Sequence, residues 1–277
     1  MASLIKKRGA DARPGVTRVR ERGETFNLYS GEALEGIRRA CAASAEVLAR
    51  LCEACVPGVT TLELDRLAGE LFRQTGGRSA DFGYYGFPRQ ICISVNDEVV
   101  HGIGRADVIV RPGDVVSLDI TGSYGGFIGD NARTVIAGGC GSPEAQRLVD
   151  TTRLSLEAGI AAARPGACVG DIGAAVQRVA EAAGFAVVRD MVGHGCGVAM
   201  HEGPQVPNYW TEGTLRLRPG MVLCVEPMVN VGTWRITIDR QDKWTVRTAD
   251  GSLSAHFEHQ ILITENEAEI LTWPRNA

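Results

Sequence analysis

Apolar stretches of the chain are separated by helix-capping residues and by Pro-Gly or Gly-Gly pairs, and these boundaries predict four helices. A hydroxyl side chain favours a helix start, because its oxygen accepts a hydrogen bond from a free N–H of the first turn. A glycine favours a helix end, because it adopts a left-handed conformation without steric cost. The predicted helices run from Ser30 to about Cys55, from Thr61 to Gly76-Gly77, from Ser142-Pro143 to about Pro165, and from about Val169 to Ala183.

Apolar runs rich in β-branched residues predict strands between and after these helices. They lie at 91–95, 115–120, 132–137, 221–227, 243–248 and 254–263. The last run, SAHFEHQILI, alternates, and successive side chains of a strand point to opposite faces. Glu258 therefore shares a polar face with His256 and Gln260, where simple solvent exposure is the alternative to a functional role.

The order of these elements repeats along the chain. Pro57-Gly58 recurs 108 positions later as Pro165-Gly166, and Gly76 recurs as Gly184 at the same offset. The segment RPGDVVSLD at 111–119 recurs as RPGMVLCVE at 218–226. The repeat predicts an α+β fold of two similar halves, in which the matching acids Asp119 and Glu226 face each other across the centre.

Composition and charge narrow the class of protein. The chain has 277 residues, 44% of them hydrophobic, which suffices for one large domain. A net charge of −4 argues against a domain-wide nucleic-acid surface. We find no apolar run long enough for a membrane span and no secretory signal, which predicts a cytoplasmic protein.

The first 29 residues are predicted to be a flexible basic arm, followed by a catalytic domain at 30–277. Residues 1–25 contain seven lysines and arginines against three acids. A solvated tail is one interpretation of this arm, and a weak contact with ribosomal RNA is the other.

Eight cysteines are scattered through apolar stretches, which is typical of reduced, buried thiols in a cytosolic protein. Cys52 and Cys55 form a C-x-x-C, but they lie at a predicted helix end and no second such pair follows. A zinc or redox role for them is therefore disfavoured.

Two of the five histidines lie in the segment GHGCGVAMHEGP, at positions 194 and 201. Their spacing differs from the i, i+4 spacing that places two imidazoles on one helix face. In a strand, an odd offset points side chains to opposite faces. His194 and His201 therefore either have two different roles or lie on a chain that its glycines bend.

Two acids flank the predicted turn in LDITGSYGGFIGDNART. A hairpin that turns between Tyr124 and Gly125 sets Asp119 directly opposite Asp130, with Cβ atoms ~5 Å apart. Two carboxylates that close repel each other unless one is protonated or a cation lies between them. A pair of exposed strand acids is the alternative.

Taken together, these positions form a candidate metal site. Four carboxylates and an imidazole are a mostly hard, oxygen-rich ligand set, which suits one or two divalent ions such as Mn, Fe, Co or Zn. A metal also explains why acids end apolar strands, where an unpaired charge is costly to bury. The candidate ligands are Asp119, Asp130, Glu226, Glu258 and one histidine of the 193–204 segment.

Several segments of the chain resemble those of type I methionine aminopeptidases. The resemblance covers nearly all of residues 31–272, and the motifs are specific as a set although each is modest alone. They are CISVNDEVVHGIG, SLDITGSYGGFIGDNART, GHGCGVAMHEGPQVPNY, VEPMVN and SAHFEHQILIT. The resemblance implies a pita-bread fold of two pseudo-symmetric α/β halves around a centre of two divalent metal ions, with Co, Mn, Fe or Zn as candidates.

Residue roles follow from the same resemblance. It implies that Asp119 binds one metal, that His194 and Glu226 serve the other, and that Asp130 and Glu258 bridge them. Glu226 would also accept and shuttle a proton, His201 would stabilise the tetrahedral intermediate, and His101 would contact the substrate near the scissile amide. A methionine pocket is expected at Tyr84, Phe87, Cys92, Met200 and Trp244. Met200 stands where related bacterial enzymes have phenylalanine, and Asp81 where many have cysteine, so side-chain preference is open.

The implied function is removal of the initiator methionine from nascent proteins, with a preference for a small second residue. The expected partner is a nascent N-terminus, with the ribosome as a candidate contact of the basic arm, and the expected state is a monomer. Two alternatives remain: an Xaa-Pro aminopeptidase of the same fold, and a catalytically inactive binding protein. The first usually carries an additional N-terminal domain, and the second tends to lose metal ligands.

Overall fold

The computed structural model describes residues 13–273 of the chain. All four predicted helices are confirmed to within a few residues: α1 Gly31–Ala54, α2 Thr61–Gln74, α3 Pro143–Ala162 and α4 Val169–Ala182. Ser142 caps α3 as predicted, accepting a hydrogen bond from the Ala145 N–H. The predicted cap of α2 is wrong by one residue, because Thr60 forms a capping box with Glu63.

The strands are short apart from one central pair of ten residues each, β6 and β7. Two single 3₁₀ turns, Tyr84–Gly86 and Ala137–Gly139, interrupt the order. The strands are β1 Val16–Glu21, β2 Glu24–Tyr29, β3 Arg78–Ser79, β4 Cys92–Val95, β5 Glu98–Val100, β6 Val115–Tyr124, β7 Phe127–Ile136, β8 Ala186–Val187, β9 Gly193–Gly195, β10 Glu202–Val206, β11 Val222–Val225, β12 Met228–Asn230, β13 Ile236–Ile238, β14 Val246–Thr248, β15 Ser254–His256, β16 Glu258–Ile263 and β17 Ala268–Ile270.

One large sheet crosses the molecule and carries the candidate ligands. Its strand order is β1-β2-β10-β9-β11-β16-β7-β6-β3, with β17 paired to β16 and β4 paired to β6. Two three-stranded sheets, β15-β12-β8 and β13-β14-β5, flank it. The adjacent strands β11, β16, β7 and β6 bring together segments that are far apart in the sequence.

The predicted repeat is confirmed in detail. Both ends of α4 lie 108 positions after the corresponding ends of α2. Two pairs of landmark glycines share left-handed backbone angles: Gly58 has φ 99° and Gly166 has φ 84°, while Gly76 has φ 81° and Gly184 has φ 83°. The two halves therefore follow the same local path, as the α+β prediction of two similar halves requires.

Each half has its own hydrophobic core. One core packs α1 and α2 against β4 and β6, and it includes Leu48, Phe72, Ile93 and Leu118. The other packs α3 and α4 against β11 and β16, with Leu156, Ile172, Leu223 and Ile261 among its members. The seam between these halves is where β7 pairs with β16.

The predicted register of the β6–β7 hairpin is wrong by two residues. The two-residue turn is Gly125-Gly126, and both glycines have positive φ, which a type I′ turn requires. Tyr124 therefore pairs with Phe127, Asp130 pairs with Thr121, and Asp119 pairs with Ala132. Because the shift is an even number of residues, the two acids stay on one face as diagonal rather than direct neighbours.

The predicted arm over residues 1–29 also needs correction. Residues 16–29 form the β1–β2 hairpin, and β2 joins the main sheet through a parallel bridge between Phe26 and Gly203. Phe26 and Tyr29 are buried, 1% and 3% exposed, so apolar burial holds the hairpin down. The arginines of β1 make this segment resemble a solvated arm, so the sequence does not indicate that Phe26 and Tyr29 are buried. The first twelve residues lie outside the described residues.

All eight cysteines are free thiols, and five of them are buried. Cys52 and Cys55 lie at the end of α1, as the sequence indicates. Within residues 13–273, we find no helix that is both long and apolar enough to cross a bilayer.

Candidate metal centre and active site

Two of the predicted ligands share one row of the main sheet. The register aligns Glu258 on β16 with Ala132 on β7, Ala132 with Asp119 on β6, and Asp119 with Cys92 on β4. Residues paired across adjacent strands point to the same face. The small Ala132 side chain thus leaves space between the carboxylates of Asp119 and Glu258.

Asp130 lies on the same face and is held by neighbours from two strands. Its carboxylate Oδ1 accepts a hydrogen bond from the Thr121 hydroxyl at 3.1 Å, and its backbone N–H donates to Gln260 Oε1 at 2.9 Å. The residue is only 4% exposed. Thr121 and Gln260, which the sequence did not single out, therefore fix the orientation of this acid.

His194 presents one ring nitrogen to the carboxylates. Its Nδ1 lies 3.0 Å from the Gly195 carbonyl oxygen, so the Nδ1–H donates there and Nε2 is left as an acceptor. Nε2 lies 3.4 Å from Glu226 Oε1 and 4.0 Å from Asp130 Oδ2. An imidazole oriented by a backbone carbonyl is typical of metal-binding histidines.

The glycines around His194 are required by close backbone packing. A Cβ on Gly193 would lie 2.3 Å from the Cys224 carbonyl oxygen, and one on Gly195 would lie 2.2 Å from that of Gly203. Only glycine allows β9 to pass between β10 and β11 at these distances. The GHG motif is thus a strand squeezed between two neighbours.

The structure brings Asp130, His194 and Glu258 together with a thiol that the sequence analysis missed, that of Cys224. One ligand atom from each of these four side chains lies within 4.8 Å of the others. Cys224 precedes Glu226 by two positions, and the period of a strand places both on one face. This periodicity could have indicated from the sequence that Cys224 lies near the metal ligands.

Burial makes the carboxyl groups resist ionisation. It raises the pKa of Asp119 to about 7. Burial, and then the neighbouring carboxylates, raise the pKa values of Asp130, Glu226 and Glu258 well above the usual range. Burial also lowers the pKa of His194 to about 3. A neutral imidazole among acids that repel one another is an arrangement that a divalent cation would stabilise.

One atom tests whether a metal fits this site. Glu258 Oε1 is buried and makes no hydrogen bond. A buried carboxylate oxygen without a partner is costly, and coordination to a cation would satisfy it. The free Nε2 of His194 and the unpartnered Oε1 of Glu258 both fit a divalent ion, and the oxygen-rich donor set suits a hard or borderline one.

His201 is exposed and lies beside His194. The two ring centres are 4.3 Å apart, and the Tyr84 hydroxyl lies 2.9 Å from His201 Nδ1. Neighbouring groups desolvate part of the ring and lower the pKa of His201, which favours the neutral ring. A hydroxyl that donates to Nδ1 leaves the Nε2–H free to donate to a substrate.

Three of the predicted substrate residues form an aromatic group nearby. Phe87 and Trp244 pack edge to face with ring centres 5.2 Å apart, and His101 lies 6.5 Å from Trp244. His101 directly follows β5 and has φ 58°, a left-handed conformation that is uncommon for a residue other than glycine. Burial and nearby His201 lower the pKa of His101 to about 4.

The remaining pocket positions are buried to different degrees. Cys92 and Met200 are 6% and 8% exposed, and Cys92 pairs with Asp119 across β4 and β6. Asp81 is tied to β6, since its Oδ2 accepts a hydrogen bond from the Thr121 N–H at 3.1 Å. Burial and the nearby Asp119 raise the pKa of Asp81 well above its usual range.

A second residue that the sequence analysis did not assign is His256. It is 1% exposed, its Nε2 lies 3.8 Å from Glu226 Oε2, and neither ring nitrogen has a hydrogen-bond partner. Burial lowers the pKa of His256 to about 3. The alternating pattern at 254–263 predicts that His256 and Glu258 share one face of a strand. That pattern could have indicated that His256 lies near the acids.

A cavity of about 620 Å³ opens beside both histidines. It is lined by His194, His201, Glu202 and Gln205 on one side, and by Glu24 and Thr25 of the N-terminal hairpin on another. Of the candidate metal ligands, His194 is thus reached from this cavity.

Comparison with known proteins assigns the class. The sequence model of Metallopeptidase family M24 matches residues 35–265. The chain therefore belongs to metallopeptidase family M24. Within that family it is a metal-dependent aminopeptidase of the methionine aminopeptidase group, as its relatives indicate.

The relatives match nearly the full length. Methionine aminopeptidase A of Synechocystis sp. is 45% identical over 251 residues, which cover 90% of this chain and 98% of the relative. The methionine aminopeptidase of Aquifex aeolicus is 44% identical over 256 residues, or 89% and 98%. The crystal structure of the Thermotoga maritima enzyme has a TM-score of 0.86 at 43% identity, covering 89% of this chain and 99% of that one.

More distant structures share the fold. Prolidase from Pyrococcus furiosus superimposes with a TM-score of 0.72 at 21% identity, covering 90% of this chain and 66% of that one. The predicted pita-bread fold is therefore confirmed.

Proposed function

We propose that this protein removes the initiator methionine from nascent polypeptides, that it favours a small second residue, and that it works with two divalent metal ions in the cytoplasm. The observation that carries the proposal is the convergence of Asp130, His194 and Glu258, whose ligand atoms lie within 4.8 Å of one another. These three residues come from three different strands. Glu226 lies beside them, with its Oε1 3.4 Å from His194 Nε2.

The metal ligands in this proposal are Asp119, Asp130, His194, Glu226 and Glu258. In this proposal Asp119 would help to hold one ion, His194 and Glu226 would hold the other, and Asp130 and Glu258 would contribute to both. When bound, divalent ions such as Co, Mn, Fe or Zn acidify water and stabilise negative charge that develops on a peptide carbonyl.

Glu226 is the proposed proton carrier. Its carboxylate lies between two imidazoles, with Oε1 facing His194 and Oε2 facing His256. Burial raises its pKa, which suits a group that takes a proton from water and passes it to the leaving amine. His256 is buried and its low pKa keeps it neutral beside this carboxylate.

His201 is the proposed oxyanion donor, and His101 is the proposed contact near the scissile amide. The Tyr84 hydroxyl at His201 Nδ1 orients the ring so that the Nε2–H donates to the developing negative charge. A donor fixed in advance stabilises the transition state without reorganisation cost. The low pKa of His101 keeps it neutral at physiological pH.

The methionine side chain is proposed to enter an apolar pocket at Tyr84, Phe87, Cys92, Met200 and Trp244. Phe87, Cys92 and Met200 are buried, which supports a closed wall. Met200 is a flexible, polarisable side chain that adapts to a thioether. The hydrogen bond from Thr121 holds the Asp81 carboxylate toward β6, which supports an apolar lining despite the acid.

A peptide panel tests the activity and its alternatives. The metal-free protein is loaded separately with Co, Mn, Fe or Zn and assayed with Met-Ala-Ser, Met-Leu-Ser and Leu-Pro-Ala. We expect cleavage of Met-Ala-Ser, slower cleavage of Met-Leu-Ser and none of Leu-Pro-Ala. No cleavage of Met-Ala-Ser with any metal would refute the proposal and favour an inactive binding protein. Preferential cleavage of Leu-Pro-Ala would favour an Xaa-Pro aminopeptidase.

The proposed partner is a nascent chain, with the ribosome contacted through basic residues near the N-terminus, and the enzyme is proposed to act as a monomer. Co-sedimentation with ribosomes at low and high salt, for the full chain and for a variant without residues 1–12, tests the contact. Electrostatic binding weakens with salt and with loss of the segment. Light scattering on a sizing column measures the oligomeric state.

A further inference from the structure

The N-terminal hairpin lies directly against the loop that carries His201. The family match begins at residue 35, so strands β1 and β2 precede the matched region. The hairpin nevertheless lines the same cavity as His194 and His201, through Glu24 and Thr25. It is therefore close enough to influence the active site.

Two hairpin side chains converge on Glu202, the residue after His201. The Tyr29 hydroxyl lies 2.6 and 2.7 Å from the two carboxylate oxygens of Glu202. Asn27 Nδ2 donates to Glu202 Oε2 at 2.8 Å. Burial and the Glu202 carboxylate raise the pKa of Tyr29, so the phenol keeps the proton that it donates.

Glu202 in turn closes its own loop. Its Oε1 accepts hydrogen bonds from the backbone N–H groups of Val198 at 3.0 Å and Ala199 at 2.9 Å. The Val198 N–H also reaches the Tyr29 hydroxyl, at 3.2 Å. One carboxylate thus connects the beginning of the loop to its end, and Tyr29 holds that carboxylate.

The hairpin fills the space that a side chain would need at two glycines, Gly197 in the loop and Gly203 on β10. A Cβ on Gly197 would lie 2.4 Å from the Tyr29 ring, and one on Gly203 would lie 2.3 Å from the Thr25 carbonyl oxygen. Such contacts leave no room for the loop to shift toward the hairpin. Phe26, 1% exposed, anchors the hairpin in the core.

We propose that the β1–β2 hairpin is a positioning element for catalysis, in which Tyr29 and Asn27 hold Glu202 and thereby set the place of His201. Tyr84 orients the His201 ring from one side, and Glu202 sets its backbone from the other. Displacement of an active-site group by about 1 Å can cost on the order of a hundredfold in rate. The inference rests on the proposed role of His201.

The test compares Tyr29→Phe and Asn27→Ser with a matched control, Tyr124→Phe, in cleavage of Met-Ala-Ser. Tyr124 also makes a partly buried hydroxyl contact, 3.1 Å from Thr75 Oγ1, but lies at the far end of β6. We expect Tyr29→Phe to lower kcat roughly tenfold with KM within about twofold, because a transition-state contact is lost. Metal content and the kcat of Tyr124→Phe should stay at wild-type values.

A double-mutant cycle with His201→Ala separates positioning from general stability. If Tyr29 acts through His201, Tyr29→Phe should change kcat less than about twofold in the His201→Ala background. An undiminished effect there, or a wild-type kcat for both Tyr29→Phe and Asn27→Ser, would overturn the inference. A lower melting temperature with unchanged kcat would likewise assign the hairpin to stability alone. If His201→Ala itself keeps full activity, the assigned role of His201 in the proposed function fails instead.

Discussion

Glu226 Oε1 lies 3.4 Å from His194 Nε2, although the two residues are 32 positions apart in the chain. Both belong to the second half of the fold, whereas Asp119 and Asp130 come from the first half. The pairing of β7 with β16 brings the two halves together at Glu258. The centre is therefore assembled at the seam, and removal of a ligand from either half should weaken its metal binding.

Asp119→Asn tests the contribution of the first half. The amide keeps the size of the side chain but loses its charge, so the variant should bind less metal per chain. We expect kcat/KM to fall at least about a hundredfold, or ~2.7 kcal/mol of transition-state stabilisation. Elemental analysis and the peptide assay measure both effects. The control is Asp107→Asn, whose side chain is 84% exposed and should behave as wild type. Full metal content in Asp119→Asn would contradict its assignment as a ligand.

Removal of metal should destabilise the protein, and more so at higher pH. At a hundredfold excess over Kd, a ligand contributes roughly 2.7 kcal/mol. At 2–4 °C per kcal/mol, a chelator should lower the melting temperature by about 5–10 °C. The pKa of Asp119, raised to about 7, means that the metal-free native state holds protons that the unfolded state has released. The contribution of Asp119 to the stability of the metal-free protein therefore falls as pH rises from about 4 to about 7.

Scanning calorimetry at pH 5.5 and pH 8, with and without chelator, checks this prediction. The shift caused by the chelator should be larger at pH 8 and smaller in Asp119→Asn than in the wild type. Equal melting temperatures with and without chelator at both pH values would contradict it.

His101 should contribute to acid sensitivity. Burial lowers its pKa to about 4, below the 6.5 of the unfolded chain, so the unfolded state takes up a proton first as pH falls. The contribution of His101 to the free energy of unfolding should therefore decrease from pH 6.5 toward pH 4. His101→Gln should remove ~1–2 kcal/mol of that decrease. Urea unfolding of both metal-free proteins at pH 7, 5.5 and 4.5 measures the difference, and parallel pH curves would show the prediction to be wrong.

Tyr84→Phe should reduce turnover without loss of metal. The substitution removes the hydroxyl that lies 2.9 Å from His201 Nδ1, worth about 1 kcal/mol, so kcat should fall roughly fivefold. Tyr85→Phe is the matched control, because its neighbouring ring is 87% exposed. Equal kcat values for the two variants would show that Tyr84 does not orient the imidazole.

Helix boundaries and the internal repeat can be predicted from the sequence because their signals are local. Ser142 caps α3 as expected, and Gly58 and Gly166 both take the left-handed angles that their Pro-Gly pairs predict. The candidate ligands can also be predicted from the sequence. An acid at the end of an apolar strand is costly to bury unless its charge is paired, for example by a metal ion.

The register of β6 and β7 could not be settled from composition alone. Turns centred one residue apart use the same glycines, and each keeps Asp119 and Asp130 on one face. The prediction of a flexible arm is wrong for residues 16–29 for a similar reason. Their arginines indicate a solvated arm, whereas Phe26 and Tyr29 become anchors only once the main sheet offers a place to bury them.

The sequence by itself determined which elements form, that the chain repeats, and which acids and histidines are available as ligands, because caps, turns and periodicity act over a few residues. Only the tertiary structure decided that Cys224 and His256 lie beside those ligands and that Tyr29 holds Glu202. Contacts between residues far apart in the chain depend on strand pairing and burial, and these are properties of the whole packed chain.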